Sequence, residues 1–237
     1  MNFSVNAALD MLRYATPRDR PTAATRIYDD LRQKILSLDI PPGTNLLRAE
    51  LAREYDVSQT PLRDALQRLE QDDLVLIYPQ SRTLVTRIDL PKIHQAHFLR
   101  VALETEVVRR LAQRGAPEVV ARARSVNELQ RSVADDRDQL RVFQQLDEYF
   151  HRVLFEGLEQ DDLHGLIRSR AGHLDRVRRL QVHSDAKITN ILDGHQEMLD
   201  AIEAQDETAA IAALRAHLHK NLDWVEEFRT RFPDYFA

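Results

Sequence analysis

Four residues in the second half of this 237-residue chain have the types and spacing to hold a metal ion. Asp147 and His151 are four positions apart, about 40° around a helix, so both point the same way. They share a stripe with Phe143, Phe150 and Leu154. His195 falls on a stripe with Ile191, Met198 and Ile202, and His217 on one with Leu214, Asn221 and Trp224, whereas His219 points away. An inward aspartate is hard to explain as packing, because a buried carboxylate is costly unless paired. One carboxylate and three imidazoles converging in a helical core form a donor set for a divalent transition metal. Each histidine taken alone reads better as a hydrogen-bonded core residue, and the shared inward placement of all four is what raises the metal reading to equal standing.

A second stretch, Val57-Ser58-Gln59-Thr60-Pro61-Leu62-Arg63-Asp64-Ala65-Leu66, reads as the opening of a helix made to meet something outside the protein. Ser58 is placed to cap its first turn, where Pro61 is tolerated because first-turn amides lack intrahelical partners. Leu62, Leu66 and Leu69 form the buried stripe. Thr60, Arg63 and Gln67 lie on another face, with Gln59 at the exposed tip. Short polar side chains and an arginine at a helix N-terminus can reach base edges and phosphates, so the stretch predicts a DNA-recognition helix.

These residues need elements to position them. Hydrophobic residues at 43% allow real cores, and six glycines with 6% aromatics favour helices over an all-β fold. The absence of cysteine removes disulfides and thiolate ligands, leaving His, Asp and Glu for any metal. No apolar run approaches the ~18 residues of a membrane span. Asp10 and Arg13 interrupt the apolar residues of the first segment, so no signal-peptide core is expected and a cytoplasmic protein is the simplest reading. Charge does not announce nucleic acid: between Pro21 and Leu90, 9 Lys/Arg against 11 Asp/Glu give −2, and the whole chain is −5. Binding must come from positioned arginines rather than a basic field.

In order, 1–24 reads as a flexible arm. Thr25 can cap a helix to about Leu38, carrying Ile27, Leu31, Ile35 and Leu38 on one stripe and stopped by Pro41-Pro42-Gly43. A short helix from Arg48 to Tyr55 follows, then the Val57 stretch to about Gln71: a helix-turn-helix. After Asp72-Asp73 the period becomes two. Leu74–Tyr78 and Thr83–Thr86, separated by Pro79-Gln80-Ser81-Arg82, predict a hairpin wing with Arg82 and Arg87 as phosphate contacts. From Pro91 the chain reads as six antiparallel helices, 91–114, 116–134, 138–159, 161–181, 186–204 and 206–230. Fold class is therefore mainly α: a winged helix-turn-helix at 25–89 and an all-α bundle at 91–230.

Residues Arg26 to Asp89 resemble the winged-helix domain of the GntR family of bacterial transcription regulators. The likeness is carried by Ile40-Pro41-Pro42-Gly43-Thr44, Leu51-Ala52, Val57 to Leu66 and Leu69-Glu70. The family pattern there is Val-Ser-Arg-Thr-Pro-Val-Arg-Glu-Ala-Leu. This chain departs at Gln59, which replaces an arginine, at Asp72-Asp73, which replaces an acidic-glycine pair, and in lacking the wing glycine. Glutamine pairs best with adenine and arginine with guanine, so Gln59 implies a different operator preference. Residues from about Phe98 to Trp224 are similar to the FCD ligand-binding domain of the FadR-type branch. The matching pieces are Leu99-Arg100 through Glu104, Asp147-Glu148-Tyr149-Phe150-His151, Gly194-His195-Gln196 through Ile202, and Ala213 to Leu218. The six-helix count resembles the VanR subgroup. This resemblance implies Zn, Ni or Mn held by Asp147, His151, His195 and His217.

The expected function is a dimeric regulator of transcription that binds a near-palindromic double-stranded DNA operator, with repression the commoner family output. Its DNA-contact residues would be Arg48, Ser58, Gln59, Thr60, Arg63 and Arg82. Arg100, near the Leu99/Leu103/Val107 stripe, suggests a small carboxylate effector held jointly by cation and guanidinium. The alternative is a structural Arg100–Glu104 pair at i, i+4. Asn221, one turn beyond His217, is a weaker effector contact. Two other readings are a direct metal sensor and a metal-dependent hydrolase, the latter lacking an obvious general base.

Overall fold

The structure, a computed structural model, describes residues 21–79, 81–180, 185–219 and 225–237. The expected arm falls almost wholly outside the described residues, as do Asn221 and Trp224. The described chain divides into two units: 21–98 with 166–180 and 225–237, and 99–165 with 185–219.

In the first unit, α1 (Ala23–Leu36), α2 (Arg48–Glu54) and α3 (Gln59–Gln71) bury Ile27, Leu31, Ile35, Leu51, Leu62, Ala65, Leu66 and Leu69 in one core. Two capping expectations are corrected. Thr22, not Thr25, caps α1, its hydroxyl accepting from Thr25 N at 3.1 Å. Helix α1 also ends at Leu36, because Leu38 turns into the left-handed region at φ 66°. Ser58 sits at the N-cap of α3, yet its side chain makes no capping bond. The third helical position, one of the two usual donors to such a cap, is Pro61, which has no N–H. At the end of α3, Asp73 adopts φ 60°, the conformation glycine adopts most easily, and Leu74 N bonds back to Leu69 O at 2.9 Å.

The wing is β1 (Val75–Ile77) paired antiparallel with β2 (Thr83–Val85), in the register Val75↔Val85 and Ile77↔Thr83. The strap Thr86–Asp89 beyond it is gripped on two sides. The fully buried Arg176 donates to both Thr86 O and Thr86 Oγ1, and Asp89 N donates to His173 Nδ1 at 3.0 Å. Ile88 N bonds Tyr235 O at 2.7 Å, and Ala237 N bonds Ile88 O at 2.9 Å. His173 and Arg176 belong to α8 (Gly172–Leu180). The helix expected over 161–181 is therefore two helices, α7 (Asp161–Arg170) and α8. At their junction Gly172 approaches Leu74 so closely that a Cβ would lie 2.6 Å from Leu74 Cδ2. Apolar residues continue through the break, so periodicity does not reveal it.

The second unit is helical: the later part of α4 (Leu90–Arg114), then α5 (Pro117–Ser132), a 3-10 turn at Arg137–Gln139, α6 (Leu140–Glu156), α9 (Asp185–Glu203) and α10 (Glu207–His219). Helix α5 packs on α6 and α9, and α9 packs on α10. The run expected over 206–230 holds α10 and, after residues outside the described set, α11 (Val225–Arg231) of the first unit. Among the described residues no helix is long and apolar enough to cross a membrane.

Candidate metal centre and nucleic-acid interface

Helix α6 buries Phe143, Leu146, Phe150, His151 and Leu154 on one face, and Asp147 lies on the same side. Helix α9 turns His195 inward beside Leu192, Met198, Leu199 and Ile202, and α10 turns His217 inward beside Ala210, Leu214 and Leu218. Three helices thus bring Asp147, His151, His195 and His217 together, each offering a ligand atom, with all four atoms within 4.8 Å of one another. His219 is exposed.

The arrangement is tight. The His195 ring stacks on Phe150 with centroids 3.7 Å apart, and the His195 and His217 rings are 4.7 Å apart. Gly194 makes this approach possible, because a Cβ there would lie 2.8 Å from His217 Nδ1. His195 Nδ1 is 3.1 Å from Gln130 Oε1, which leaves Nε2 facing Asp147 Oδ1 at 3.5 Å. His151 Nδ1 lies 2.8 Å from Glu104 Oε2, while Glu104 Oε1 accepts from Arg100 Nε at 2.6 Å. The Arg100–Glu104 pair is therefore present, and it is buried. Asp147 Oδ1, His151 Nε2 and His195 Nε2 are buried and have no hydrogen-bond partner. Buried polar atoms are rarely left so, and three of them turned on one point fit a cation.

Protonation states agree with that fit. Burial, then the nearby Arg100 charge, pushes His151 well below its ordinary range. Burial lowers His195 and His217 to about 3. Burial pushes the Asp147 carboxyl up, but the three imidazoles, His195 foremost, and Arg100 outweigh it and hold the group below the usual carboxylate range. At neutral pH the cluster is one carboxylate and three neutral imidazoles, the form in which these side chains donate lone pairs to a metal.

On the first unit Ser58, Gln59, Thr60 and Arg63 are exposed at the start of α3. Arg48, Gln59, Thr60, Leu62 and Arg63 line an open concavity. Arg63 Nε is 3.8 Å from Asp64 Oδ1, and Arg82 is exposed with its guanidinium 4.8 Å over the Tyr78 ring. Arg87 is exposed as well. Arg68 of α3 stacks 3.9 Å over Tyr28.

Sequence reasoning missed Gln130 and Gly194, and named Glu104 only as a partner for Arg100. Gln130 lies on the buried face of α5 with Val120, Ala123 and Val126. Asking which polar residues sit on apolar stripes would have found it. Gly194 has no such signal, because its role exists only against His217.

Comparison with known proteins gives the family. Residues 95–220 match the FCD domain, and residues 23–85 match the bacterial regulatory proteins of the gntR family. An uncharacterized HTH-type transcriptional regulator in an unstable DNA locus of Streptomyces ambofaciens is 36% identical over 211 residues, covering 89% of this chain and 88% of that protein. The HTH-type transcriptional repressor RspR of Escherichia coli K12 is 29% identical over 90% of this chain and 92% of its own. The solved structure of E. coli McbR/YncC, 18% identical, shares the fold with a TM-score of 0.72 over 88% of this chain and 99% of its own. Both sequence relatives are named as transcriptional regulators. With both matches lying along one chain, the protein belongs to the GntR family and is a DNA-binding transcriptional regulator with an FCD domain.

Proposed function

We propose that the chain acts as a homodimeric repressor in which 25–89 binds DNA and 91–230 binds metal and effector. The metal would be a divalent transition ion, Zn, Ni or Mn, held by Asp147, His151, His195 and His217. The observation that carries this is the convergence of three partnerless buried atoms from three of those side chains. A nitrogen-rich set without thiolate suits Zn or Ni, and the carboxylate also admits Mn. A bound ion would supply positive charge to hold one carboxylate of a small organic acid. Arg100, already oriented by Glu104, is the chain's own candidate for that acid's remaining charge. Asn221 remains a candidate effector contact, outside the described residues.

Arg48, Ser58, Gln59, Thr60 and Arg63 would meet the major groove and its phosphates, and Arg82 the backbone beside the wing. Duplication by two-fold symmetry would supply the affinity that a net charge of −2 in this region does not. The repressor assignment is supported by the name of the E. coli relative. The effector switches the protein only by binding its DNA-competent and DNA-free arrangements unequally.

Elemental analysis of purified protein tests the centre: about one ion per chain is expected, and Asp147→Ala should lose it. Unchanged stoichiometry in that variant removes Asp147 from the site. A carboxylate thermal-shift screen on metal-loaded protein tests the effector, because selective binding raises apparent stability. If metal alone changes DNA affinity and no carboxylate shifts the melt, the protein is a metal sensor instead.

A further inference from the structure

Arg48 stands at the first position of α2, next to the positive end of the helix dipole, where a cation does not help the helix. Among the described residues it has no carboxylate partner. Its Nε and Nη2 both donate, at 3.3 Å, to the hydroxyl of Thr83. Thr83 is 0% exposed and is itself fixed: its carbonyl accepts from Leu46 N at 2.7 Å, and it pairs with Ile77 across the wing. A buried β-branched residue in a strand needs only a valine's shape to pack, so the hydroxyl calls for a separate reason.

The other wing strand is followed by a matching device. Tyr78 N donates to Arg82 O at 2.8 Å, closing the hairpin, and the Arg82 guanidinium lies 4.8 Å over the Tyr78 ring. Both arginines are thus held by neutral groups. A carboxylate partner would cancel the charge and would have to be displaced by a phosphate. A hydroxyl or an aromatic face restricts the long side chain and leaves its full charge available. In a region of net −2 this distinction matters.

We propose that Thr83 and Tyr78 are positioning residues for DNA binding, holding Arg48 and Arg82 through neutral tethers on the wing. The proposal rests on the reading that these two arginines meet DNA, and the test separates the two ideas. The probe is a duplex enriched from a random pool by the wild-type protein, with affinity measured by fluorescence anisotropy at several salt concentrations.

Thr83→Val should weaken binding by about threefold to tenfold, and Thr83→Ser, which keeps the hydroxyl, should stay within about twofold of wild type. In an Arg48→Ala background, Thr83→Val should have almost no further effect, because its role acts through Arg48. Likewise Tyr78→Phe should bind normally, whereas Tyr78→Leu should weaken binding only while Arg82 is present. Equal loss from Thr83→Val in both backgrounds would show a merely structural threonine and overturn the proposal. An Arg48→Ala protein with unchanged affinity and unchanged salt slope would instead overturn the reading of Arg48 as a DNA contact, since a lost phosphate contact reduces that slope by about one.

Discussion

His151 Nδ1 and Glu104 Oε2 lie 2.8 Å apart in the buried interior, and the same carboxylate receives Arg100 through its other oxygen. A carboxylate at that distance favours the imidazole tautomer with its proton on Nδ1, which leaves the Nε2 lone pair for a cation. Glu104→Ala should therefore weaken metal binding by about tenfold to a hundredfold, measured by chelator competition. Glu104→Gln, which keeps the shape but not the charge, should fall between that variant and wild type. Unaltered affinity in Glu104→Ala would mean that His151 is oriented by packing alone.

Gly194 sets helix propensity against the space that the site leaves. Replacing a helix-interior glycine by alanine ordinarily stabilises by about 1 kcal/mol. Here the new Cβ would lie 2.8 Å from His217 Nδ1 and 3.4 Å from His217 Cβ, so the ring must move. Crowding a packed core by one methyl costs about 1–3 kcal/mol, so Gly194→Ala should melt no higher than wild type without metal and should bind metal about tenfold more weakly. A metal-dependent rise in melting temperature equal to that of wild type would show that the His217 ring keeps its place.

Acid should loosen the strap after the wing. Burial, then the Arg176 charge, lowers His173 to about 4 from an ordinary 6.5. Between these values the unfolded chain holds a proton that the folded chain does not, so stability is full above about pH 6.5 and falls as pH drops toward 4. By pH 5 the loss from this one group is about 2 kcal/mol. Asparagine can place an acceptor oxygen near the position of His173 Nδ1 and does not titrate in this range. His173→Asn should flatten this part of the acid limb in urea melts followed at pH 7.5 and pH 5. The metal-site imidazoles shift in the same direction and contribute to both proteins alike. An equal pH dependence in wild type and variant would exclude His173 as a contributor.

Gln59 opens α3 at an exposed position in the concavity shared with Arg48 and Arg63. Gln59→Arg should move the preference at one base pair of each half-site from adenine toward guanine, by about 1–3 kcal/mol of discrimination. Sequencing duplexes selected from a random pool by each protein reads this directly. Identical preferences would place Gln59 away from the base edges.

Much of the fold was legible because it is local. The Leu62, Leu66 and Leu69 stripe, the Pro41-Pro42-Gly43 stop and the change to period two after Asp73 each follow from backbone geometry over a few residues. Capping was less secure. Ser58 has the right type and position, but Pro61 removes a donor it would use. Asp73 adopts positive φ although it is not a glycine. The close approach of Gly172 to Leu74, at the junction of the two helices found within 161–181, joins residues far apart in the chain.

The sequence by itself determined which side chains each helix turns inward, including Asp147 and His151 on α6, because helical periodicity follows from residue spacing alone. Only the tertiary structure decided what those faces meet. It set His217 of α10 against Gly194 of α9, Glu104 against His151, and Gln130 against His195. It also placed Arg176 on the strap and Arg48 on Thr83. A stripe states that a surface is buried. Which surface covers it depends on how separate elements pack, and no local pattern records that.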